Sequence, residues 1–209
     1  DEEYDNLSVK GRYYVDRTKL SALHMQTLIN DLLAYSRTTV TQRNFEDCDL
    51  NKIVRETMAA LKEELQEKAA TIELHKLHKV YIIPFQFRQL LQNLISNSLK
   101  FCEPGLKPHI TIKSKFIKYN SLSANKFILK SDHHHISITD NGIGFDPKFS
   151  SKIFDIFQRL HEKGNYEGTG IGLTIVKKIV ENHNGIITAS SEINKGATFD
   201  IYIPVKQES

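Results

Sequence analysis

Two glycine clusters are separated by a long stretch without regular periodicity. Residues 140–145 read Asp-Asn-Gly-Ile-Gly-Phe, and residues 168–173 read Gly-Thr-Gly-Ile-Gly-Leu. Residues 135–140 alternate apolar and polar, as an edge strand does, so Asp140 ends a strand with its carboxylate able to face a pocket. Glycine lets the backbone approach a ligand closely, and the second cluster precedes an amphipathic helix whose first N–H groups would cradle phosphate. Together the clusters predict a nucleotide site.

A polar stripe runs along the otherwise apolar segment 87–101. Asn93, Asn97 and Lys100 recur at helical spacing and therefore share one face of a helix. Two amide oxygens and an ammonium group suit a hydrated Mg²⁺ and the phosphates it bridges, because magnesium prefers oxygen ligands. Alternatively, the asparagines cap a loop or form hydrogen bonds within the core, since buried polar groups need partners. The two glycine clusters favour the magnesium interpretation.

Four segments follow one another along the chain: the helix with Asn97 and Lys100, the 140–145 cluster, residues 154–157 (Phe-Asp-Ile-Phe) and the 168–173 cluster. Their order and spacing resemble the four sequence boxes of the catalytic and ATP-binding domain of sensor histidine kinases, over residues 45–205. Residues 13–38 resemble the second helix of the dimerisation and phosphoacceptor hairpin in that family. No segment resembles the phosphoacceptor box, a His followed by an acidic residue with Arg and Pro nearby.

The resemblance implies an ATP-binding kinase domain of a two-component sensor histidine kinase, which transfers the γ-phosphoryl group of ATP to a histidine absent from this chain. Asp140 would accept a hydrogen bond from the adenine amino group, Asn97 would hold Mg²⁺ and Lys100 would contact the phosphates. The implied ATP-binding set is Asn93, Asn97, Lys100, Asp140, Gly142, Gly144, Arg159, Gly168, Thr169, Gly170, Gly172 and Leu173. ATP and Mg²⁺ are the expected cofactors. The chain alone supplies no catalytic residue of its own and is not expected to autophosphorylate.

Two other functions use the same fold. ATP hydrolases resembling this chain carry a Glu four residues before the magnesium-binding Asn to activate water, and that position is Asn93 here. Slow hydrolysis is therefore expected. A nucleotide-sensing module without catalysis is the other alternative.

The fold class expected is α+β, a two-layer α/β sandwich of the histidine kinase, gyrase and chaperone ATPase type preceded by a long helix. Residues 1–40 would be a partial hairpin with its second helix only, and residues 41–209 the catalytic and ATP-binding domain. Helices are predicted at 18–37, 51–68, after Pro84 and at 169–182, and strands at 71–75, 80–82, 109–118, 126–138, 186–191 and 197–205. Residues 38–45 are predicted to be a hinge, 119–125 a hairpin tip and 194–196 a turn.

The apolar stripe of the first helix is too wide for a single exposed helix, which predicts a homodimer through the hairpin helices. The resemblance adds a response regulator receiver domain as partner.

Lysine and arginine are mixed with acidic residues at a net charge of +3, unlike the clustered basic face of a nucleic-acid binder. No apolar run approaches the ~20 residues of a membrane span. A cytoplasmic location is expected, with membrane contact only through upstream segments, and Cys48 and Cys102 are interpreted as reduced.

Residues 141–168 form the longest aperiodic stretch and are interpreted as an ATP lid. Phe154 and Phe157 either dock on the hairpin helices or pack on their own domain. Arg159 and Lys163 either meet the outer phosphates or solvate the lid, and the phosphate role is favoured for Arg159.

Histidines at two places invite other interpretations. Consecutive strand residues point to opposite faces, so residues 133–135 cannot converge on one ion and are interpreted as a solvated strand. His24 lies on the first helix, but its neighbours match the hairpin's second helix, so it is not expected to be the acceptor.

Overall fold

A computed structural model describes residues 4, 6–40, 44–119, 131–158, 160 and 169–206. Within the first helix, the side chains of residues 24, 31 and 34–40 are outside this description. The helices are α1 (Val9–Val40), α2 (Leu50–Ala60), α3 (Lys62–Glu67), α4 (Pro84–Lys100) and α5 (Gly172–Asn182). The strands are β1 (Glu46–Asp49), β2 (Thr71–Leu74), β3 (Lys79–Ile82), β4 (His109–Ile117), β5 (His133–Asp140), β6 (Ile186–Ser191) and β7 (Ala197–Pro204).

The main sheet has five strands in the order β2-β4-β5-β7-β6. β2 pairs with β4 in parallel, and the other neighbours are antiparallel. β1 and β3 form a separate antiparallel pair. The sheet is therefore mixed and mostly antiparallel, and the predicted α+β fold with a two-layer α/β sandwich is confirmed.

The core lies between this sheet and α4 and α5. Ile112, Ile138 and Phe199 are paired across the three central strands and point toward the helices. The helices contribute the side chains Phe87, Leu90, Leu91, Leu94, Ile95, Leu99, Ile175, Val176, Ile179 and Val180, all at most 2% exposed. Burial of these apolar rows fixes the rotation of each helix about its axis. The polar stripe of α4 is therefore left at the margin of the core.

Several elements differ from the sequence-based expectation. β5, expected from its alternation to be an edge strand, is the central strand of the sheet and pairs with both β4 and β7. The helix predicted at 51–68 is broken at Leu61, whose φ of −101° and ψ of 15° leave the helical region while its side chain stays buried. β1 was not predicted, because Glu-Asp-Cys-Asp carries no alternating apolar residues. Only Cys48 of this strand is buried, and Asp49 caps α2 by accepting from the Asn51 N–H at 2.9 Å.

α1 extends beyond the predicted 18–37 at both ends. Leu28 packs against the main core, and α1 contacts α5. Other large apolar side chains of α1 remain about half exposed, namely Leu20, Leu23, Met25, Ile29, Leu32 and Leu33. The described part of the chain contains no helix with the length and apolar character needed to cross a membrane.

Two predicted loops are only partly described. The strand predicted at 126–138 is seen from His133 onward, and the hairpin tip at 119–125 lies outside the described residues except for Tyr119. The lid is not wholly irregular, because 3-10 turns form at Pro147–Phe149 and Lys152–Phe154. Lys163 lies outside the described residues.

Candidate functional site

Asp140 is held by the backbone at the end of β5. Its Oδ1 accepts hydrogen bonds from the backbone N–H groups of Gly142 (2.9 Å) and Ala197 (3.1 Å). Its Oδ2 lies 3.2 Å from the Ser98 hydroxyl. Burial raises the pKa of the Asp140 carboxyl above its usual value, and these three hydrogen bonds only partly offset that effect. The carboxylate is thus fixed in orientation and mostly buried.

Two glycines of the predicted clusters are required by close packing within the protein. Gly144 has a φ of +62°, and a Cβ there would collide with the backbone carbonyl of Glu192. A Cβ on Gly172 would lie 2.9 Å from the Asn93 Oδ1. The start of α5 therefore lies directly against the polar stripe of α4, as a site built from both would need.

The polar stripe of α4 is half-buried. The Asn93 Nδ2 donates to the Gln89 carbonyl at 2.9 Å, which turns its Oδ1 toward Gly172. The Asn97 side chain forms no hydrogen bond to another described residue, although it is half-buried. The Lys100 Nζ lies 4.8 Å from the centroid of the Phe101 ring. Asn93, Asn97 and Lys100 thus lie on one face of α4, as their spacing predicts. Of the two asparagines, Asn97 is the one whose amide forms no hydrogen bond within the described part of the chain.

α5 begins at Gly172, three residues later than predicted, and Gly170 before it has a φ of +74°. Among the described residues, no side chain caps its first N–H groups. The Thr169 hydroxyl accepts from the Ile171 N–H, one residue before the helix, at 3.4 Å. In its first turn the buried Thr174 hydroxyl has no hydrogen-bond partner among the described residues. An uncapped helix start with an unpaired hydroxyl suits an anionic ligand. Leu173 packs on the core, and Gly168 lies outside the described residues.

The two lid phenylalanines have opposite environments. Phe154 is 5% exposed and meets Phe199 edge-on at 6.5 Å, so it packs on its own domain. Phe157 is 65% exposed with a φ of +62°, and its N–H donates to the Gly170 carbonyl at 3.1 Å. The lid therefore presents an aromatic side chain outward from a strained backbone next to the second cluster. Arg159 lies outside the described residues.

The histidines of β5 alternate between the two faces of the sheet. His134 meets the Phe116 ring on the helix side, and burial, followed by the charges of His78 and His133, lowers its pKa. His135 is on the other face, where its Nε2 lies 2.6 Å from Asp200 Oδ1. The three rings therefore do not converge, as the strand period predicts. The interpretation as a solvated strand is wrong, because His133 is 5% exposed and the His135 side chain 12% exposed.

Sequence reasoning missed two partners of Asp140. Ser98 directly follows Asn97 on α4, and a small polar residue within an apolar helix face was the available signal. The Ala197 N–H comes from the start of β7 and gives no signal in the sequence. Asn141 was also not singled out, although it accepts from the His109 N–H (2.8 Å) and donates to the Lys107 carbonyl (3.0 Å), tying the strand end to β4.

Comparison with known proteins gives one family match. Residues 83–207 match the family described as histidine kinase-, DNA gyrase B- and HSP90-like ATPases. Cyanobacterial phytochrome A of Nostoc sp. strain PCC 7120 is 40% identical over 87% of this chain. The chain spans 22% of the length of that relative.

Two solved structures share the fold. Full-length ShkA in complex with AMPPNP matches with a TM-score of 0.70 at 22% identity, over 97% of this chain and 40% of ShkA. The histidine kinase ThkA in complex with the response regulator protein TrrA matches with a TM-score of 0.65 at 20% identity. That match covers 92% of this chain and 51% of the other.

Proposed function

Since this chain belongs to the histidine kinase-, DNA gyrase B- and HSP90-like ATPase family, we propose that it is the ATP-binding kinase domain of a two-component sensor histidine kinase. It binds ATP and transfers the γ-phosphoryl group to a histidine outside this chain. The observation that carries the proposal is the Asp140 carboxylate, with one oxygen saturated by two backbone N–H groups and the other available to a base. ShkA, which shares the fold, was solved with AMPPNP.

Asp140 accepts a hydrogen bond from the adenine amino group. Guanine presents a carbonyl oxygen at that position, which would leave a buried carboxylate facing an acceptor. The uncapped start of α5 and the second glycine cluster, including Thr169 and Gly170, receive the phosphate chain. Lys100 and Arg159 contribute cations to the phosphates. Phosphoryl transfer depends mainly on such positioning and charge neutralisation.

Asn97 is the proposed Mg²⁺ ligand. Its half-buried amide has no hydrogen-bond partner among the described residues, and an amide oxygen suits magnesium, which keeps several of its waters. The ion would neutralise charge on the phosphates.

We expect Asn97→Ala to reduce the part of the ATP affinity that depends on Mg²⁺ by roughly tenfold or more. Calorimetry measures the ATP affinity with and without Mg²⁺, and the ratio of the two affinities gives the part that depends on the metal. Gln92→Ala is the matched control, because Gln92 is an exposed amide on the same helix. An Asn97→Ala protein that gains as much affinity from Mg²⁺ as the parent would remove Asn97 from the magnesium site.

The presence of Asn93, where the ATP hydrolases carry Glu, favours phosphoryl transfer to a histidine over hydrolysis of ATP. A carboxamide cannot take a proton from water, and its Nδ2 is already committed to the Gln89 carbonyl. Incubation with labelled ATP and a separately supplied acceptor hairpin tests the proposal. Label on the acceptor histidine supports the kinase, rapid release of free phosphate identifies a hydrolase, and binding without either product identifies a sensing module.

Residues 1–40 are proposed to be the second helix of a dimerisation hairpin, and residues 41–209 the catalytic domain. The half-exposed apolar side chains of α1, such as Leu20 and Leu32, support a homodimer that buries them. A receiver domain is the proposed recipient of the phosphoryl group. ThkA was solved with such a response regulator protein.

Phe157 is proposed to dock on the hairpin helices when the lid closes. Phe157→Ala should leave the free energy of unfolding within about 0.5 kcal/mol of the parent, because the ring is mostly exposed. It should slow transfer to a supplied acceptor hairpin at least about tenfold through lost positioning. Phe154→Ala is the contrasting variant, because its ring is buried and its loss should cost about 3–5 kcal/mol of stability. Unchanged transfer kinetics in Phe157→Ala would show that this ring has no docking role.

A further inference from the structure

A serine hydroxyl lies beside the carboxylate that the proposed function assigns to adenine. Ser98 is on α4 directly after Asn97 and is 4% exposed. Its Oγ lies 3.2 Å from Asp140 Oδ2 and 3.1 Å from the Leu94 carbonyl oxygen. A hydroxyl has a single proton, so Ser98 donates to only one of these acceptors at a time.

The charged acceptor is the stronger one. A hydrogen bond to a carboxylate is roughly twice as strong as one between neutral groups. The Leu94 carbonyl also accepts the backbone N–H of Ser98 within the helix, so it stays paired when the hydroxyl turns away. The hydroxyl can therefore donate to Asp140 without leaving a buried group unsatisfied.

The two oxygens of Asp140 have separate roles. Oδ1 accepts from Gly142 and Ala197, which occupies both of its lone pairs. Oδ2 is the oxygen left for a base, and Ser98 is its hydrogen-bond partner among the described residues. One lone pair of Oδ2 then remains for the ligand.

We propose that Ser98 is a positioning residue for Asp140: its hydroxyl fixes Oδ2 and supports its negative charge in the orientation that the base requires. This inference rests on the proposed function, in which Asp140 receives adenine. Ser98 acts through Asp140 and touches no reacting atom.

The electrostatics agree with this role. Burial raises the pKa of the Asp140 carboxyl, and the Ser98 hydrogen bond is one of three that lower it. Removing the hydroxyl should raise this pKa further. Among the described residues, Cys102 is a titratable neighbour of Asp140. The pKa of its thiol is raised mainly by burial, is lowered by Lys68 and is raised by the Asp140 charge. The thiol therefore stays neutral while Asp140 titrates.

The test compares Ser98→Ala with Ser96→Ala, since Ser96 is a half-buried serine on the same helix. Carboxyl ¹³C NMR follows the protonation of Asp140 in the nucleotide-free protein, and calorimetry follows ATP affinity from about pH 8 to about pH 5.5. At the alkaline end, Ser98→Ala should already bind ATP more weakly than the parent, because Oδ2 is no longer held in the orientation that the base requires. Toward the acid end the loss of affinity relative to the parent should grow, because Asp140 takes up a proton earlier. Parallel titration of the parent accounts for protonation of ATP itself.

An Asp140 titration that is the same in Ser98→Ala and the parent would overturn the proposal, whatever happens to ATP binding. A shifted titration with no change in ATP affinity at any pH would also overturn it, since the contact would then not serve the nucleotide. The carboxyl titration needs no nucleotide, whereas the adenine assignment is decided by Asp140→Asn. Failure of the positioning role of Ser98 is therefore distinguishable from failure of the adenine assignment of Asp140.

Discussion

We expect Asp140→Asn to weaken ATP binding by about 2–3 kcal/mol, roughly 30- to 150-fold in Kd, because the replacement puts a donor where adenine needs an acceptor. The N–H groups of Gly142 and Ala197 both point at the Oδ1 position. The asparagine oxygen must occupy that position to keep them paired. Its NH₂ group then takes the place of Oδ2 and faces the adenine amino group.

The same geometry predicts a change in base preference. The NH₂ group of the variant can donate to the carbonyl oxygen of guanine, so the preference for ATP over GTP should shrink or reverse. Calorimetry with both nucleotides measures the ratio. Asp47→Asn is the control, because it removes an exposed carboxylate from the separate β1–β3 sheet. If Asp140→Asn keeps the affinity and the preference of the parent, Asp140 does not read the base.

Loss of folding should not explain this result. The pKa of Asp140 is raised in the folded chain, so ionisation of the group opposes folding. Its stabilising contribution is present below the unfolded-state pKa and is lost as the pH rises through the folded-state pKa. A neutral asparagine does not ionise, so the variant does not lose stability as the pH rises. Urea unfolding near pH 7 should therefore find the variant no less stable than the parent.

The sequence was most informative where one residue period dominates. Asn93, Asn97 and Lys100 could be placed on one face of α4 because the apolar residues around them repeat at the helical period. The end of β5 at Asp140 was equally readable from alternation. Periodicity failed at Leu61, where a buried leucine continues the apolar pattern although the backbone leaves the helix. A pattern of side chains carries no direct record of φ and ψ.

The geometry of the site could not be predicted to the same degree. Oδ1 of Asp140 is fixed by the N–H of Ala197, which is far away in sequence and brought close by the pairing of β5 with β7. Any residue except proline supplies that N–H, so no residue type marks the position. Gly172 was expected to approach a phosphate, yet a Cβ there already meets Asn93 within the protein. Its requirement for glycine is thus set by packing of α5 on α4.

The chain incubated with radiolabelled ATP and Mg²⁺ should bind the nucleotide and acquire no acid-labile label. An acceptor imidazole must reach the γ-phosphoryl group in line, which requires an exposed ring on a mobile or docked helix. None of the nine histidines lies in a segment that resembles the acceptor box. His183, for example, is fully buried, with Nδ1 2.7 Å from the Ile179 carbonyl and Nε2 accepting from the Ile83 N–H at 2.9 Å. We therefore predict that the chain binds ATP but does not supply the histidine that accepts the phosphoryl group.

Labelling should appear when a hairpin bearing the acceptor histidine is supplied, because it brings the nucleophile to the lid and covers the apolar face of α1. The rate should fall in Phe157→Ala and should not fall in Gln92→Ala, which separates docking from general damage. The same assay includes His24→Gln in the chain alone. Strong acid-labile label on the parent chain that disappears in His24→Gln would make His24 of α1 the acceptor. In that case α1 would be the first helix of the hairpin, and the assignment of residues 1–40 to its second helix would be wrong.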